Sequence, residues 1–391
     1  MLNLEFSINQ YSMSKNITSN RYHKIHEDAI VVDSHNDILM QIMEKGVDIN
    51  EPLEGKTHSD LRRWKQGGVN VQVLAVWCDG NKKNPFDYAV RQIDILDEIV
   101  KSYSDKIDLI ANSDELVKVV KEDRIAAIIA IEGGHMIEND LSKLNYFFDR
   151  GVRYLTLTWN NSIDWASSAF DEAFNKNLGE KGLSEFGKQV VQRMNQLGMM
   201  VDISHVGEQT FWDVIKCSSK AIIASHSCVY SLCPTQRNLK DDQIKAIAKS
   251  GGVIQINFFS EFLDSSFVKK KADFLLKYKV EKDSLVKNGM IYYMADDFLF
   301  EKYKSEVQAL RAPFSLLIDH IEYIINLVGI NHVGLGSVYD GMNSPPLSLD
   351  DVSTYPLITK ALVEKNYSEN DIKKILGGNF LRVLRENEVG S

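Results

Sequence analysis

Eight short apolar runs, each followed by a stretch with helical periodicity, constrain the fold of this chain more than any other feature. The runs are AIVVDSH (29–35), VNVQVLAVW (69–77), IAAIIAIE (125–132), VRYLTLTWN (152–160), MMVDISH (199–205), AIIASHS (221–227), GVIQINFF (252–259) and HVGLGS (332–337). Such runs are typical of strands buried on both faces, as in parallel sheets. Eight strands alternating with helices predict an α/β fold, a closed (β/α)8 TIM barrel, with an open doubly wound sheet as the alternative.

Two connecting segments show helical periodicity clearly, and one long connection departs from the alternation. The segments 86–103 and 183–198 repeat apolar residues at helical spacing. In the second, Ser184 is placed to cap the N-terminus and Gly198 to end the helix. Residues 260–311, between the seventh and eighth strands, are rich in lysine and aromatic residues. They predict a helical insertion over the barrel mouth.

No stretch rich in proline, glycine and serine marks a domain boundary in the 391 residues. We therefore predict an N-terminal extension over 1–28 and a single barrel domain over 29–391 that includes the insertion, since barrels often exceed the average domain size. The four cysteines form no CxxC pair and are interpreted as small apolar residues.

Charge and hydropathy exclude some classes of function. The net charge of −9 argues against a nucleic-acid-binding protein, which normally carries a basic face. No run reaches the roughly 18 apolar residues of a membrane helix. The first twenty residues lack the compact apolar stretch of a signal peptide, so the chain as given is expected to be cytoplasmic. Export with a removed signal would leave the same sequence.

Polar residues stand where four of the predicted strands end. His35 and Asp37 follow the first strand and, by alternation along an extended chain, lie on the same side. Glu132 ends the third strand, and His205 and His226 end the fifth and sixth. Because active sites of such barrels lie at the C-terminal ends of the strands, these five side chains are candidate metal ligands.

Three imidazoles and two carboxylates without a thiolate suit zinc, with manganese or iron as alternatives. Five ligands are too many for one catalytic zinc, but they suffice for two ions if Glu132 bridges them. Such a pair can hold a hydroxide and polarise a carbonyl. Any one of these histidines alone would be interpreted as a core residue, so the prediction rests on their joint occurrence. His135 is a weaker candidate for a supporting hydrogen bond, and the remaining histidines are interpreted as surface, helix or strand-start residues.

These residues lie in a series of motifs that resembles the membrane (renal) dipeptidase family of the amidohydrolase superfamily. The resemblance runs from about residue 29 to 385, through VVDSHNDIL (31–39), IEGGHMI (131–137), GVRYLTLTWN (151–160), GMMVDISHVG (198–207), ASHSCVYSLCPTQRN (224–238), HVGLGSVYDG (332–341) and GGNFLRV (377–383). It implies a (β/α)8 barrel, two zinc ions per chain, a homodimer and hydrolysis of dipeptides, in some relatives dipeptides with a C-terminal D-residue.

The resemblance also implies roles for individual residues. His35 and Asp37 would bind one zinc, and His205 and His226 the other, with Glu132 bridging both and holding the nucleophile. Arg237 matches the family arginine that holds the C-terminal carboxylate of the substrate. Its planar guanidinium can bind a carboxylate through two hydrogen bonds, which lysine cannot. Without the motif, Arg237 would be interpreted as part of a surface salt bridge.

Two positions depart from the family pattern. Trp159 stands where many relatives have a histidine that touches the substrate, and it is expected to shape the substrate pocket instead. Val338 replaces the aspartate that passes a proton from the attacking water to the leaving amine. Losing a general acid/base costs about 10²–10⁴-fold in rate. Asp340, two residues on, is the remaining carboxylate and would face the same way if this segment were extended.

Three hypotheses follow from the sequence. The first is a zinc dipeptidase of reduced activity that holds its substrate through Arg237. The second is another metal-dependent amide or lactam hydrolase, with a pocket reshaped by Trp159. The third is a metal-binding homologue without catalysis, in which Val338 marks the lost activity.

Overall fold

The computed structural model describes residues 21–389 and contains one parallel sheet. Its strands are β1 (Val31–Asn36), β2 (Val69–Trp77), β3 (Ile107–Leu109), β4 (Ile125–Glu132), β5 (Val152–Thr156), β6 (Met200–Asp202), β7 (Ile223–Ala224), β8 (Val253–Ile256) and β9 (Val333–Leu335). Eight of them pair in the order β1-β2-β4-β5-β6-β7-β8-β9, and β3 pairs with β4 outside this path. The short β3 was not expected, because three residues leave no recognisable pattern.

The sheet closes between its first and last strands. Asn36 forms a parallel bridge with Tyr339, and the Asp37 N–H donates to the Tyr339 carbonyl at 2.9 Å. Inside the barrel, the Ser337 hydroxyl donates to Asp33 Oδ2 at 2.6 Å. The predicted (β/α)8 barrel is therefore confirmed, and the open doubly wound sheet is excluded.

Helices surround this barrel. A helical segment at 21–27 precedes β1, and the other α-helices are Ile38–Lys45, Leu61–Gln66, Pro85–Ser102, Ser113–Lys121, Leu141–Asp149, Ala169–Phe174, Glu185–Leu197, Glu208–Cys217, Asp241–Lys249, Ser260–Leu263, Phe267–Lys277, Lys279–Lys287, Tyr292–Lys302, Lys304–Val307, Phe314–Val328, Pro356–Glu364, Glu369–Lys373 and Asn379–Asn387. Short 3₁₀ helices occur at Gly134–Ile137, Ile330–His332 and Val352–Thr354, and a π-helical turn occurs at Lys374–Gly378. In the described part of the chain, no helix is both long and apolar enough to span a bilayer.

The two helices expected from periodicity are present with nearly the expected ends. The second begins after Ser184, whose hydroxyl accepts the Gly187 N–H at 3.3 Å. It ends at Gly198, which adopts the left-handed conformation with φ 80°. Its apolar face lies in the core: Val190 and Met194 are fully buried. All four cysteines are free thiols, and three of them are buried.

The segment 260–311 folds into five short helices with a small core of their own. That core consists of Phe267, Phe274, Leu299, Phe300 and Val307. The segment contacts the loop that follows β9, where the Ser260 N–H donates to the Ser344 carbonyl at 3.0 Å. It therefore lies against one of the loops at the C-terminal end of the barrel, where the site is found.

The first twenty residues of the predicted N-terminal extension lie outside the described residues. Its remainder packs on the barrel, because His26 is buried and bonds to Thr359 Oγ1 at 2.7 Å and to the Gly67 carbonyl at 2.8 Å. His26 therefore lies on a helix, as the sequence allowed, but it is not a surface residue. The division into extension and barrel domain stays a prediction.

Candidate metal centre and substrate site

The five side chains expected at the strand ends lie together in one buried cluster. The exposed fractions are 0% for His35, 4% for Asp37 and Glu132, 8% for His205 and 1% for His226. Each side chain comes from the end of β1, β4, β6 or β7, or from the residues directly after it. The barrel therefore brings four distant parts of the chain to one point.

Glu132 lies at the centre of this cluster, and its two oxygens face different partners. Oε2 lies 3.4 Å from His35 Nε2, which in turn lies 3.7 Å from Asp37 Oδ2. Oε1 lies 3.0 Å from His205 Nε2 and 3.2 Å from His226 Nε2. The carboxylate thus divides the cluster into two groups, one for each oxygen.

Hydrogen bonds behind the histidines fix which ring nitrogen faces Glu132. His35 Nδ1 lies 2.9 Å from the Tyr154 hydroxyl, which itself donates to the Ser34 carbonyl at 2.8 Å. Since the Tyr154 hydroxyl uses its hydrogen in the bond to the Ser34 carbonyl, it accepts a hydrogen bond from His35 Nδ1. Nε2 is therefore the nitrogen of His35 that faces Glu132 and that would bind a metal.

The other two histidines are oriented in the same way. The Ser225 hydroxyl donates to Asp202 Oδ2 at 2.6 Å and accepts from His226 Nδ1 at 2.8 Å. His205 Nδ1 lies 3.1 Å from Asn160 Oδ1, an acceptor. Both rings therefore direct an Nε2 lone pair at Glu132. Metal-binding histidines are commonly held in this way by a hydrogen bond from the second nitrogen.

The distances and the unpartnered atoms fit divalent cations. His35 Nε2, His226 Nε2 and Asp37 Oδ2 are buried without a hydrogen-bond partner. His35, Glu132 and His226 each offer a ligand atom within 4.8 Å of the others. Two ligands of one zinc, at bond lengths of about 2.0–2.2 Å, lie roughly 3–3.5 Å apart. The nitrogen–oxygen distances around Glu132 fall in that range, so the donor set fits such a metal.

Burial and neighbouring charges set the protonation states of the cluster. Burial, together with His35, lowers the pKa of His226 to about 4, and burial holds the pKa of His205 well below its usual value. Burial would also lower the pKa of His35, but Glu132 and Asp37 outweigh it and raise this pKa to about 9. The histidines in turn outweigh burial at Glu132 and hold its pKa well below the ordinary range. Two neutral histidines and an ionised Glu132 suit metal binding, and His35 would release its proton when a metal binds.

Arg237 lies beside this cluster without an ion-pair partner, and Glu132 and Asp202 attract it only from a longer distance. It is only 6% exposed, yet no carboxylate of the described residues lies within ion-pair distance of its guanidinium. Nη2 makes one long contact of 3.5 Å with the His226 carbonyl, Nε has no partner, and the guanidinium lies 5.4 Å from the Phe262 ring centroid. Burial lowers the pKa of Arg237 to about 10, so it remains charged at neutral pH. A buried cation is costly without an anion, so the site is suited to an anionic group.

The loop after β9 differs from the extended segment expected from the sequence. Val338 and Asp340 have φ values of 62° and 68°, and the Gly341 N–H donates to the Val338 carbonyl at 3.2 Å, so the segment forms a turn. Asp340 is 5% exposed, and its Oδ1 accepts the His58 N–H at 2.6 Å. The expectation that Asp340 faces the same way as Val338 is therefore wrong, because left-handed residues break the alternation of a strand.

Aromatic residues lie beside the cluster on the side of His205. Trp159 is partly exposed and lies 6.4 Å from the His205 ring, measured between centroids. It packs edge-to-face on Trp77, which ends β2, with 5.0 Å between centroids. His135 lies close by but makes no hydrogen bond to Glu132; its Nε2 lies 3.4 Å from Cys78 Sγ. His135 is thus a neighbour of the metal cluster and not a support for it.

Several residues that support the site were missed in the sequence. Tyr154 and Asp202 lie within strands and Asn160 lies next to Trp159, and they hold the three histidines. A signal was present for Asp202, since it is a charged residue within an otherwise apolar run. His58 was interpreted as a surface or helix residue, yet its backbone N–H donates a hydrogen bond to Asp340 Oδ1.

Comparisons with known proteins agree with this geometry. Residues 19–391 match the model of a family described as membrane dipeptidase, peptidase family M19. The chain belongs to this family. It is therefore a member of a family of peptidases, as its motifs indicated.

Individual relatives support the assignment. The chain is 30% identical over 398 residues to an uncharacterized dipeptidase of Schizosaccharomyces pombe, covering 96% of this chain and 84% of the relative. It is 30% identical over 371 residues to dipeptidase 3 of Mus musculus, covering 92% of this chain but only 65% of that longer protein. The crystal structure of the probable dipeptidase PvdM from Pseudomonas aeruginosa superposes with a TM-score of 0.78 at 26% identity, covering 95% of this chain and 98% of that one.

Proposed function

We propose that this protein hydrolyses the amide bond of dipeptides with two zinc ions held by the cluster around Glu132. The observation that carries the proposal is Arg237, a buried guanidinium without an anionic partner beside the metal ligands. A dipeptide supplies what this arrangement lacks, since it has a free carboxylate one residue away from an amide carbonyl. Family membership supports the same class of substrate.

The two oxygens of Glu132 support a pair of metal ions. His35 and Asp37 would hold one zinc with Oε2, and His205 and His226 the other with Oε1. When bound, two zinc ions would polarise the scissile carbonyl and supply hydroxide at neutral pH.

The chain's own residues would bind and orient the substrate. Arg237 would pair with the C-terminal carboxylate, in the planar geometry that a guanidinium offers. Glu132 would keep the two groups of ligands at a fixed separation, and Trp159 would bound the pocket on the other side. These residues together would place the amide carbonyl over the centre of the cluster.

Proton transfer is the step for which the chain has no evident group. Val338 occupies the family's acid/base position and cannot carry a proton. Asp340 is a substitute only if its free Oδ2, which is buried and unpartnered, can reach the substrate. We therefore propose that metal binding is complete and turnover is weak. The valine at position 338 also favours the alternative of a metal-binding homologue without catalysis.

A panel of small amides tests the proposal. Zinc-loaded protein would be incubated with L-Ala-L-Ala, L-Ala-D-Ala, the C-terminal amide of L-Ala-L-Ala and a β-lactam, with chelator-treated protein as the control. We expect slow, zinc-dependent cleavage of one or both dipeptides and much poorer cleavage of the amide. Cleavage of the lactam alone would instead support another amide or lactam hydrolase. Zinc binding without cleavage of any compound would support the non-catalytic homologue.

Assembly and location stay proposals as well. The homodimer is implied by the family resemblance, and the cytoplasmic location stays an expectation. Light scattering of the purified chain would decide the first.

A further inference from the structure

The barrel places an aromatic wall across the site from Arg237. Trp77 ends β2, while Arg237 lies in the loop after β7, and these two strands are four positions apart among the eight strands of the barrel. Trp159 follows β5 and packs against Trp77. The two tryptophans therefore lie on the side of the barrel formed by β2, β4 and β5, and Arg237 lies on the side of β7.

The backbone after β4 is shaped so that this wall can approach the metal ligands. Gly133 directly follows Glu132 and has φ 114°, a conformation that other residues rarely adopt. A Cβ added there would lie 2.4 Å from His135 Cε1 and 3.6 Å from Trp159 Cβ. Only glycine therefore lets His135 pack this closely behind the central carboxylate, and Trp159 lies within ordinary contact distance of the same position.

Other residues of the protein do not fully cover the two tryptophans. Both tryptophans are partly exposed, although they lie beside fully buried residues. Trp77 Nε1 and His135 Nδ1 are buried without hydrogen-bond partners in the described structure. Large aromatic surfaces left open next to a reaction centre are suited to flat apolar groups, which pack edge-to-face or offset on them.

If Arg237 holds the carboxylate of a dipeptide, the dipeptide can lie across the site in only one direction. The C-terminal residue then lies on the side of β7 and β8, and the scissile carbonyl lies over Glu132. The N-terminal residue extends beyond Glu132, toward β2, β4 and β5. Its side chain is the group that meets Trp77 and Trp159.

We propose that Trp77 and Trp159 form the subsite for the N-terminal residue and select substrates in which that residue is aromatic. This inference rests on the proposed dipeptidase function and names its substrate class. Trp159 is the determining residue, because it lies between Trp77 and the metal ligand His205.

Kinetics on two substrates test the subsite. The preference is the ratio of kcat/KM for L-Phe-L-Ala to kcat/KM for L-Ala-L-Ala, measured with zinc-loaded protein. We expect a ratio of at least ~10 in the native chain, the scale of one well-packed apolar group. Trp159→Ala should lower the ratio by about 10-fold, and Trp159→Phe should restore most of it. The control is Trp212→Ala, on the outer helix Glu208–Cys217, which should leave the ratio unchanged.

If turnover is too slow for kinetics, the affinity for substrate analogues can be measured instead. Phosphinate analogues of the same two dipeptides would be titrated into zinc-loaded protein and into its Trp159→Ala variant by calorimetry. Tighter binding of the phenylalanine analogue that disappears in Trp159→Ala supports the subsite. Equal affinity of the native chain for both analogues, or a preference that survives Trp159→Ala, overturns it. Failure to cleave any dipeptide while the aromatic preference in binding persists would refute the proposed function and leave the subsite intact.

Discussion

The metal-ligand cluster and the loop after β9 lie at the same end of the barrel, but they differ in how completely they are built. Each histidine of the cluster has a partner on its second nitrogen that directs the first toward Glu132. In the loop, a β-branched residue, Val338, adopts a left-handed conformation with φ 62°, which is unfavourable for such a side chain. This difference supports the proposal that the chain keeps its metal-binding residues but has lost the group for proton transfer.

The largest effect is expected when the central carboxylate of the cluster is removed. Glu132→Ala takes away both oxygens that face the histidines, so we expect the loss of at least one zinc per chain. Dipeptide turnover should fall by at least ~10³-fold, because a catalytic metal stabilises the transition state by several kcal/mol. Elemental analysis and kinetics measure the two effects. A variant that retains two zinc ions would show that Glu132 does not hold them.

The next effect concerns the anionic end of the substrate. Arg237→Ala should lower kcat/KM by at least ~30-fold, since breaking a buried charge pair costs about 2–5 kcal/mol. Arg237→Lys is the matched control for charge alone and should recover only part of the loss. C-terminally amidated dipeptides should be poor substrates of the native chain and should lose little further in Arg237→Ala. Equal turnover of free and amidated dipeptides by the native chain would contradict the role of Arg237.

The smallest effect concerns stability in the loop. Asparagine tolerates the left-handed conformation better than valine, so Val338→Asn should raise the free energy of unfolding by about 1 kcal/mol. Urea denaturation measures this change. Asparagine cannot transfer a proton, so kcat should stay within about 3-fold of the native value. A destabilised variant would show that the packing of Val338 outweighs its backbone strain.

The sequence was informative where function depends on strand ends. His35, Glu132, His205 and His226 could be identified because a polar residue that ends an apolar run is conspicuous, and parallel strands bring such ends together. Their supporting partners could not be identified in the same way. Tyr154 is one of many apolar or aromatic residues in a buried strand, and only the barrel geometry brings its hydroxyl to His35.

The sequence was least informative in the loop after β9. Extending the strand through Val338 and Asp340 assumed alternation, and valine gave no reason to expect a left-handed residue. Two histidines interpreted as surface or helix residues do lie on helices, but nothing in the sequence indicated their burial. His26 and His320 are buried, and each is satisfied by a backbone carbonyl or other group from a distant part of the chain. Contacts of this kind depend on tertiary structure and leave no local pattern.

The most direct test of the account is to compare the native chain with Val338→Asp in zinc content and in kcat on one dipeptide. We predict about two zinc ions per chain in both proteins and a kcat at least ~10²-fold higher in Val338→Asp, the scale of one general acid/base group. The gain should appear in kcat more than in KM, since proton transfer acts in the transition state. Val338→Asn, which relieves the same strain without an acid, should not reproduce it. Vigorous turnover by the native chain, or a folded and zinc-loaded Val338→Asp protein without any gain, would contradict the account.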